Sequence, residues 1–339
     1  MNPVELPARL SLAQTPTPLQ SLSRLSRELG GPNIWVKRDD LTGCAVSGNK
    51  VRKLEFTLAR ALAEGCDTLI TAGGLQSNHC RATAILGAQL GLKVHLILRQ
   101  EGRDATYPQG NLLLSELAGA EISIYSKTEY QQNSPTLFEQ WAQHYRQRGA
   151  KPYCIPVGAS DGTGVWGYID CARELHDDFQ RAGIQPTAIV HATGSGGTQA
   201  GLTAGAALHQ LNCPVIGIAV CDNERYFLDK VRADLREWSS LYSPALDIDQ
   251  LNIIVNDQYV GPGYAQATAE VFDTIALAAS TEGLILDPVY TGKGFHGLVT
   301  EIRQGRFKSG DDVVFIHTGG IFGLMAQAEM LTTQIRSNT

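Results

Sequence analysis

Charge is scarce in this 339-residue chain: Asp, Glu, Lys and Arg together make up 18% of it, and no basic cluster offsets the net charge of −6. A nucleic-acid partner is therefore not expected. Apolar runs long enough to cross a bilayer are missing, and the opening Met1-Asn2-Pro3-Val4-Glu5-Leu6-Pro7 lacks the charged-then-apolar pattern of a secretory signal. No membrane partner is expected, and the expected location is the cytoplasm. The seven cysteines (Cys44, Cys66, Cys80, Cys154, Cys171, Cys213, Cys221) are odd in number and form neither a CxxC pair nor a zinc-ligand spacing. Most of them read as small buried hydrophobes, and neither a disulfide framework nor a zinc site is expected. Repeats and low-complexity segments are lacking too.

Hydrophobic residues are plentiful at 43%, and 35 glycines imply many tight backbone approaches. That combination favours an enzyme handling a small ligand over a scaffold. The length exceeds what one core usually fills and predicts two domains of roughly 150 residues each. Periodicity predicts a short helix before Leu29, strand Asn33–Lys37, a helix from Lys50 to about Glu64, strand Thr68–Thr71, helix Asn78–Leu90 and strand Val94–Leu98. After a loop over Glu101–Pro108 come helix Asn111–Ala118, strand Glu121–Tyr125, helix Pro135–Arg148 and strand Tyr153–Val157. Next follow helix Val165–Arg181, strand Ala188–Ala192, helix Thr198–His209, strand Val215–Val220 and helix Arg225–Trp238. A surface excursion over Leu241–Gln250 leads to strand Leu251–Val255, helices Tyr264–Ser280 and Phe295–Arg303, strand Val313–His317 and a last helix from Ile321. This alternation predicts an α/β protein with open, twisted, mostly parallel sheets and helices on both faces.

One lysine stands out. In Ser47-Gly48-Asn49-Lys50-Val51-Arg52-Lys53-Leu54-Glu55, Gly48 can take backbone angles closed to other residues, and Asn49 suits a turn or cap. Val51, Leu54, Leu58 and Ala61/Leu62 then recur at helical spacing. Lys50 falls in the first turn, where a cation opposes the helix dipole and a purely structural sequence would prefer an acid. The plain reading is a solvated lysine at a helix end; the functional one is a catalytic amine.

Four strands exit into glycine: Thr71-Ala72-Gly73-Gly74, Pro156-Val157-Gly158-Ala159, Ala192-Thr193-Gly194-Ser195-Gly196-Gly197 and His317-Thr318-Gly319-Gly320. In open α/β sheets ligands bind at that edge. The run from Thr193 through Thr198 to Gly201 follows an apolar strand and opens a helix, so its N–H groups converge as a phosphate cradle. It is not a dinucleotide fingerprint, because Gln199 replaces the third glycine, nor a P-loop, because no Gly-Lys-Ser/Thr closes it. A lysine upstream, phosphate glycines downstream and no metal ligands together point to pyridoxal 5'-phosphate held on the lysine. A non-catalytic phosphate- or nucleotide-binding module is the alternative of another class.

Gly48-Asn49-Lys50, Gln76-Ser77-Asn78-His79, Gly194 to Gly201, Asp287-Pro288-Val289-Tyr290-Thr291-Gly292-Lys293 and His317-Thr318-Gly319-Gly320 occur in an order that resembles the D-cysteine desulfhydrase and 1-aminocyclopropane-1-carboxylate (ACC) deaminase family. The resemblance runs from about Pro18 to Gly320. It implies the tryptophan-synthase β type of fold (fold type II), with a larger domain of residues 1–50 and 165–339 and a smaller one of 51–164. It implies that Lys50 holds the cofactor and later moves the substrate's α-proton. Ser77 would contact the substrate carboxylate or assist proton transfer, and Asn78 would bond the cofactor's phenolic oxygen. Tyr264 and Tyr290 match paired active-site tyrosines. Asn49, Thr193, Gly194, Ser195, Gly196, Gly197, Thr198, Thr291 and Thr318 would complete the cofactor site. His79, His191, His317, Lys53 and Lys293 are expected only to pack around it. Similar enzymes are usually homodimers acting on small amino acids.

Within that family, ACC deaminases carry glutamate and leucine where this chain has Thr291 and Thr318, and the threonines match the desulfhydrase pattern. An acid beside the ring nitrogen keeps it protonated, whereas a neutral hydroxyl stabilises a carbanion less. Expelling a thiol needs less of that than opening an unactivated ring. The resemblance therefore implies a D-cysteine desulfhydrase, with L-cysteate sulfo-lyase and ACC deaminase as alternatives. Ser47 stands where relatives usually have glycine, which leaves the turn geometry open.

Overall fold

The computed structural model describes residues 5–100 and 108–337. The first six strands are β1 (Leu19–Ser21), β2 (Asn33–Lys37), β3 (Thr68–Gly74), β4 (Lys93–Gln100), β5 (Glu121–Ser126) and β6 (Pro152–Cys154). Then come β7 (Ala188–Thr193), β8 (Val215–Ala219), β9 (Ile254–Asn256) and β10 (Asp312–Ile316). They form a six-stranded sheet in the order β1-β2-β10-β7-β8-β9 and a four-stranded sheet in the order β5-β4-β3-β6. Every pairing is parallel except β1 with β2. The central strands β3 and β7 are almost wholly buried, as expected of parallel sheets covered on both faces. Two open, mostly parallel sheets with helices on both faces are the architecture expected.

Several elements differ from the sequence pattern. The predicted start at Pro135 is wrong: that helix runs over Lys127–Arg146, because Ser126 and Glu129 form a reciprocal capping box that starts it earlier. The predicted helix Tyr264–Ser280 begins only at Ala269, and Tyr264 lies in a turn closed by a bridge between Gly263 and Gln266. The helix predicted from Phe295 starts at Thr291. Strand β1, at three residues, is too short to show an alternating signal and is not among the predicted elements. Of the loop predicted over Glu101–Pro108, residues 101–107 lie outside the described residues. No helix among the described residues is long and apolar enough to cross a membrane.

The segment around Lys50 is fastened by buried charges. Arg52 donates from Nε and Nη2 to Asp39 (both 2.8 Å) and from Nη1 and Nη2 to Glu174 (2.8 and 2.9 Å). Lys37, at the end of β2, adds bonds to Glu174 (3.0 Å) and Asp178 (2.7 Å). Arg52, Asp39, Lys37 and Glu174 are each 4% exposed or less. Glu174 and Asp178 lie on the helix Trp166–Ala182, so the network ties that helix, β2 and the Lys50 helix together.

Candidate functional site

Lys50 sits in the first turn of the helix Asn49–Ala63, behind Gly48 as its N-cap. Gly48 has φ 109°, and a Cβ there would lie 2.7 Å from the backbone oxygen of Thr318, so only glycine fits. Around it the turn is closed by polar bonds. Thr42 Oγ1 donates to Gly48 O and accepts from Gly48 N (2.9 and 2.8 Å), and Asn49 N donates to Thr318 O (3.1 Å). Ser47 Oγ donates to Asp40 O at 2.7 Å, so the serine latches the turn instead of disturbing it. Arg81 donates to the carbonyls of Ala45 and Ser47. Lys50 Nζ has no hydrogen bond or ion pair among the described residues, and enclosure by protein pushes its pKa down to about 8.

This lysine opens on a cavity of about 300 Å³ at the carboxyl ends of the strands, the size of a small-ligand site. The structure brings Asn49, Ser77, Asn78, Thr193, Gly194, Ser195, Gly196, Thr198, Tyr264, Tyr290 and Thr318 into its wall, alongside Lys50. Two predicted residues do not line it. Gly197 stands behind the loop, its N–H donating to Ser160 Oγ at 3.2 Å. Thr291 is fully buried, with its hydroxyl donating to Asp287 at 2.7 Å.

The glycine loop leads from β7 into the helix Gly197–Leu208, with Gly196 at φ 87°. Its N–H groups and the helix dipole make a place for an anion. Asn49 Nδ2 donates to Thr198 Oγ1 (3.0 Å), joining the Lys50 turn to that helix start. Beneath the loop lies Lys53, donating to Gly158 O (2.7 Å) and Ser160 Oγ (3.0 Å). Burial, then the charge of Lys50, holds the Lys53 ammonium well below the usual lysine range. Thr193 Oγ1 is buried with no partner among the described residues.

On the opposite wall Ser77 caps the helix Asn78–Gln89, its Oγ accepting from Cys80 N at 3.2 Å. Asn78 Oδ1 accepts from Asn111 Nδ2 at 3.0 Å, which assigns Asn78 Nδ2 the donor's role. The hydroxyls of Tyr264 and Tyr290 lie 2.6 Å apart. Burial, then Tyr264, raises the Tyr290 phenol well above its ordinary range. Lys293 holds the turn that carries Tyr264, donating to Val260 O and Gly263 O (both 2.7 Å) and to Val220 O (3.2 Å). His317 bonds Ile285 O and His191 bonds Ala192 O, so both pack as expected.

Sequence reasoning missed Arg99, Tyr130, Asp222 and Tyr226 in the wall, and Ser160 beneath it. Arg99 lies next to the carboxyl end of β4, as Gly73 and Gly74 lie at the end of β3 and Gly194 just past β7, which was the available signal. Its guanidinium lies 5.4 Å from the Tyr130 ring and 5.5 Å from the Tyr264 ring. Among the described residues no cluster of His, Cys, Asp and Glu could hold a metal ion.

A family model described as pyridoxal-phosphate dependent enzyme matches residues 10–319. The chain is 41% identical to the mitochondrial bifunctional D-cysteine desulfhydrase/1-aminocyclopropane-1-carboxylate deaminase of Arabidopsis thaliana, over 95% of this chain and 80% of that protein. It is 39% identical to the D-cysteine desulfhydrase of Serratia proteamaculans, over 94% and 95% of the two chains. A crystal structure of an ACC deaminase homologue superposes with a TM-score of 0.85 at 35% identity, covering 96% of each chain.

Proposed function

From the premise that this chain belongs to the pyridoxal-phosphate dependent enzyme family, we propose that it eliminates sulfide from D-cysteine, giving pyruvate, ammonia and hydrogen sulfide. Membership makes it a pyridoxal-phosphate-dependent lyase and sets aside the non-catalytic binding module. Residues of the cavity fit the cofactor. Lys50 offers an unpartnered amine for an aldehyde, the loop Gly194–Gly196 offers N–H groups for a phosphate, and Thr193 Oγ1 is an orphaned polar atom that a ligand would satisfy. When bound, the cofactor supplies an electron sink for charge developing at the substrate's α-carbon.

The chain's own groups then have distinct tasks. Lys50 Nζ takes the α-proton. Ser77 already accepts a backbone N–H, so its own hydroxyl proton is available to a substrate carboxylate. Asn78 Nδ2 would donate to the cofactor's phenolic oxygen, its Oδ1 being held by Asn111. Tyr290, whose phenol stays protonated, shares a hydrogen bond with Tyr264 and keeps a proton for the departing sulfur.

The preference for D-cysteine over ACC rests on Thr291 and Thr318, which stand where the ACC deaminases that this chain resembles carry glutamate and leucine: Thr291 is buried with its hydroxyl on Asp287, and Thr318 lies in the wall next to the Lys50 turn. The nearby carboxylate, Asp287, is buried and saturated by the N–H groups of Val289, Tyr290 and Thr291 and by the Thr291 hydroxyl. Asp222, which does line the cavity, sits with Tyr226. With neutral hydroxyls at both positions, these two residues would offer the cofactor's ring nitrogen no acid, which suits loss of a thiolate better than ring opening. L-Cysteate is the second reading, favoured by Arg99 in the wall, whose fork suits a sulfonate. We also assign residues 1–50 and 165–339 to a larger domain and 51–164 to a smaller one, which the strand membership of the two sheets supports. A homodimer is the assembly proposed.

Purified protein incubated separately with D-cysteine, L-cysteine, L-cysteate and ACC tests the reading. Pyruvate and sulfide from D-cysteine are expected. 2-Oxobutyrate from ACC alone would overturn the choice, and sulfite from L-cysteate alone would install the second reading. Borohydride reduction followed by peptide mapping should label Lys50.

A further inference from the structure

His79 was expected only to pack, yet its hydrogen bonds fix more than its position. It lies in the first turn of the helix Asn78–Gln89, 2% exposed, in the wall of the cavity that Lys50 enters. Its Nε2 is 2.8 Å from Thr71 Oγ1, and that oxygen is also 2.8 Å from the carbonyl of Ile155. A carbonyl has no proton to give, so the single hydroxyl proton of Thr71 must point to Ile155 O. Thr71 Oγ1 can then only accept from the ring. Nε2 therefore carries the imidazole proton, and Nδ1 is left as a bare lone pair. Burial, and after it the charges of Lys50 and Lys53 on the neighbouring helix, keep the ring neutral. Nδ1 is buried with no partner among the described residues.

Buried polar atoms without partners are uncommon and call for a reason. Here an acceptor lacks a donor, while in the same wall the Lys50 amine lacks an acceptor. We propose that His79 Nδ1 is the resting partner of the Lys50 amine: whenever Nζ is not engaged at the cofactor, it turns and donates a hydrogen bond to Nδ1. His79 is then a positioning residue that acts through Lys50, and Thr71 sets its tautomer. The inference rests on Lys50 being the cofactor lysine, because only such a lysine alternates between a bound and a released position. A bond to Nδ1 stabilises the charged amine over the neutral one, so the proton that the neutral Lys50 amine takes from the α-carbon is then held inside the cavity.

The test uses full-length protein from which cofactor has been removed with hydroxylamine. Acetic anhydride labelling of Lys50 is followed by mass spectrometry across pH in wild type, His79→Leu and Thr71→Val, with circular dichroism to certify the fold. The apparent pKa of Lys50 should fall by about one unit in His79→Leu, the worth of one hydrogen bond to a charged donor. It should fall by less in Thr71→Val, where the ring remains but its tautomer is released. Nitrogen-15 NMR of wild-type protein should show Nδ1 unprotonated. An unchanged Lys50 pKa in folded His79→Leu, or a protonated Nδ1, overturns the proposal. If His79→Leu does not fold, Thr71→Val and the NMR measurement decide alone. Failure of borohydride to label Lys50 in the holoenzyme would instead remove the cofactor reading, a separate result.

Discussion

Replacing Arg52 with methionine should expose how far the Lys50 turn depends on buried charge. The guanidinium makes two bonds of 2.8 Å to Asp39 and two of 2.8 and 2.9 Å to Glu174, at sites nearly sealed from water. Methionine would leave Asp39 with the hydroxyls of Thr17 and Tyr168, each at 2.7 Å, the Cys171 thiol at 4.0 Å and the more distant charge of Lys37. Stranding one side of a buried ion pair costs about 3–5 kcal/mol, a large part of the ~5–15 kcal/mol that holds most proteins folded. For a chain of this size the melting temperature should fall by on the order of 10 °C. Burial alone would raise the Asp39 carboxyl; Arg52, then Lys37 and the Tyr168 hydroxyl, bring it below its usual value. A depressed acid stabilises the fold above its unfolded pKa and loses that contribution as pH falls through the folded one. The gap between wild type and Arg52→Met should therefore be widest near neutrality and narrow below about pH 4 as Asp39 protonates. Arg52→Lys, which keeps the charge but not the fork, should lie between. Thermal unfolding at the two pH values reads all of this. A variant melting within about 2 °C of wild type at pH 7, well short of the shift above, would refute the reasoning.

Two other substitutions probe the site itself. Gly48→Ala forces a Cβ to within 2.7 Å of Thr318 O at φ 109°, so a loss of about 1–3 kcal/mol is expected; a lower melting temperature and weaker yellow absorbance after cofactor loading would show it. Tyr290→Phe removes one half of the 2.6 Å hydroxyl pair, and steady-state kinetics should show kcat down about 10²-fold with KM little changed.

Much of the site was legible because its signals are local. Gly48, Asn49 and Lys50 form a turn and a helix start whose meaning needs no distant contact, and Gly194 to Thr198 form another. What escaped depends on tertiary partners. Nothing near Arg52 in the sequence announces Glu174, and Ser160 matters only because Lys53 and Gly197 meet there. Tyr264 was placed on a helix because apolar residues beyond it have helical spacing, while Gly261 and Gly263, both at positive φ, delay the helix start. Thr291 resembled a cavity residue by its neighbour Tyr290, yet the Asp287 carboxylate claims its hydroxyl and turns it inward.

The cavity's two walls have separate owners. Ser77 and Asn78 follow β3 of the four-stranded sheet, whereas Gly194, Ser195 and Thr318 follow β7 and β10 of the six-stranded one. If Ser77 holds the substrate carboxylate and the glycines a phosphate, as proposed, the distance between those two anchors is set by how the two sheets sit against each other. A substitution in either sheet's core that shifts one against the other would then weaken turnover without touching a single residue of the cavity wall.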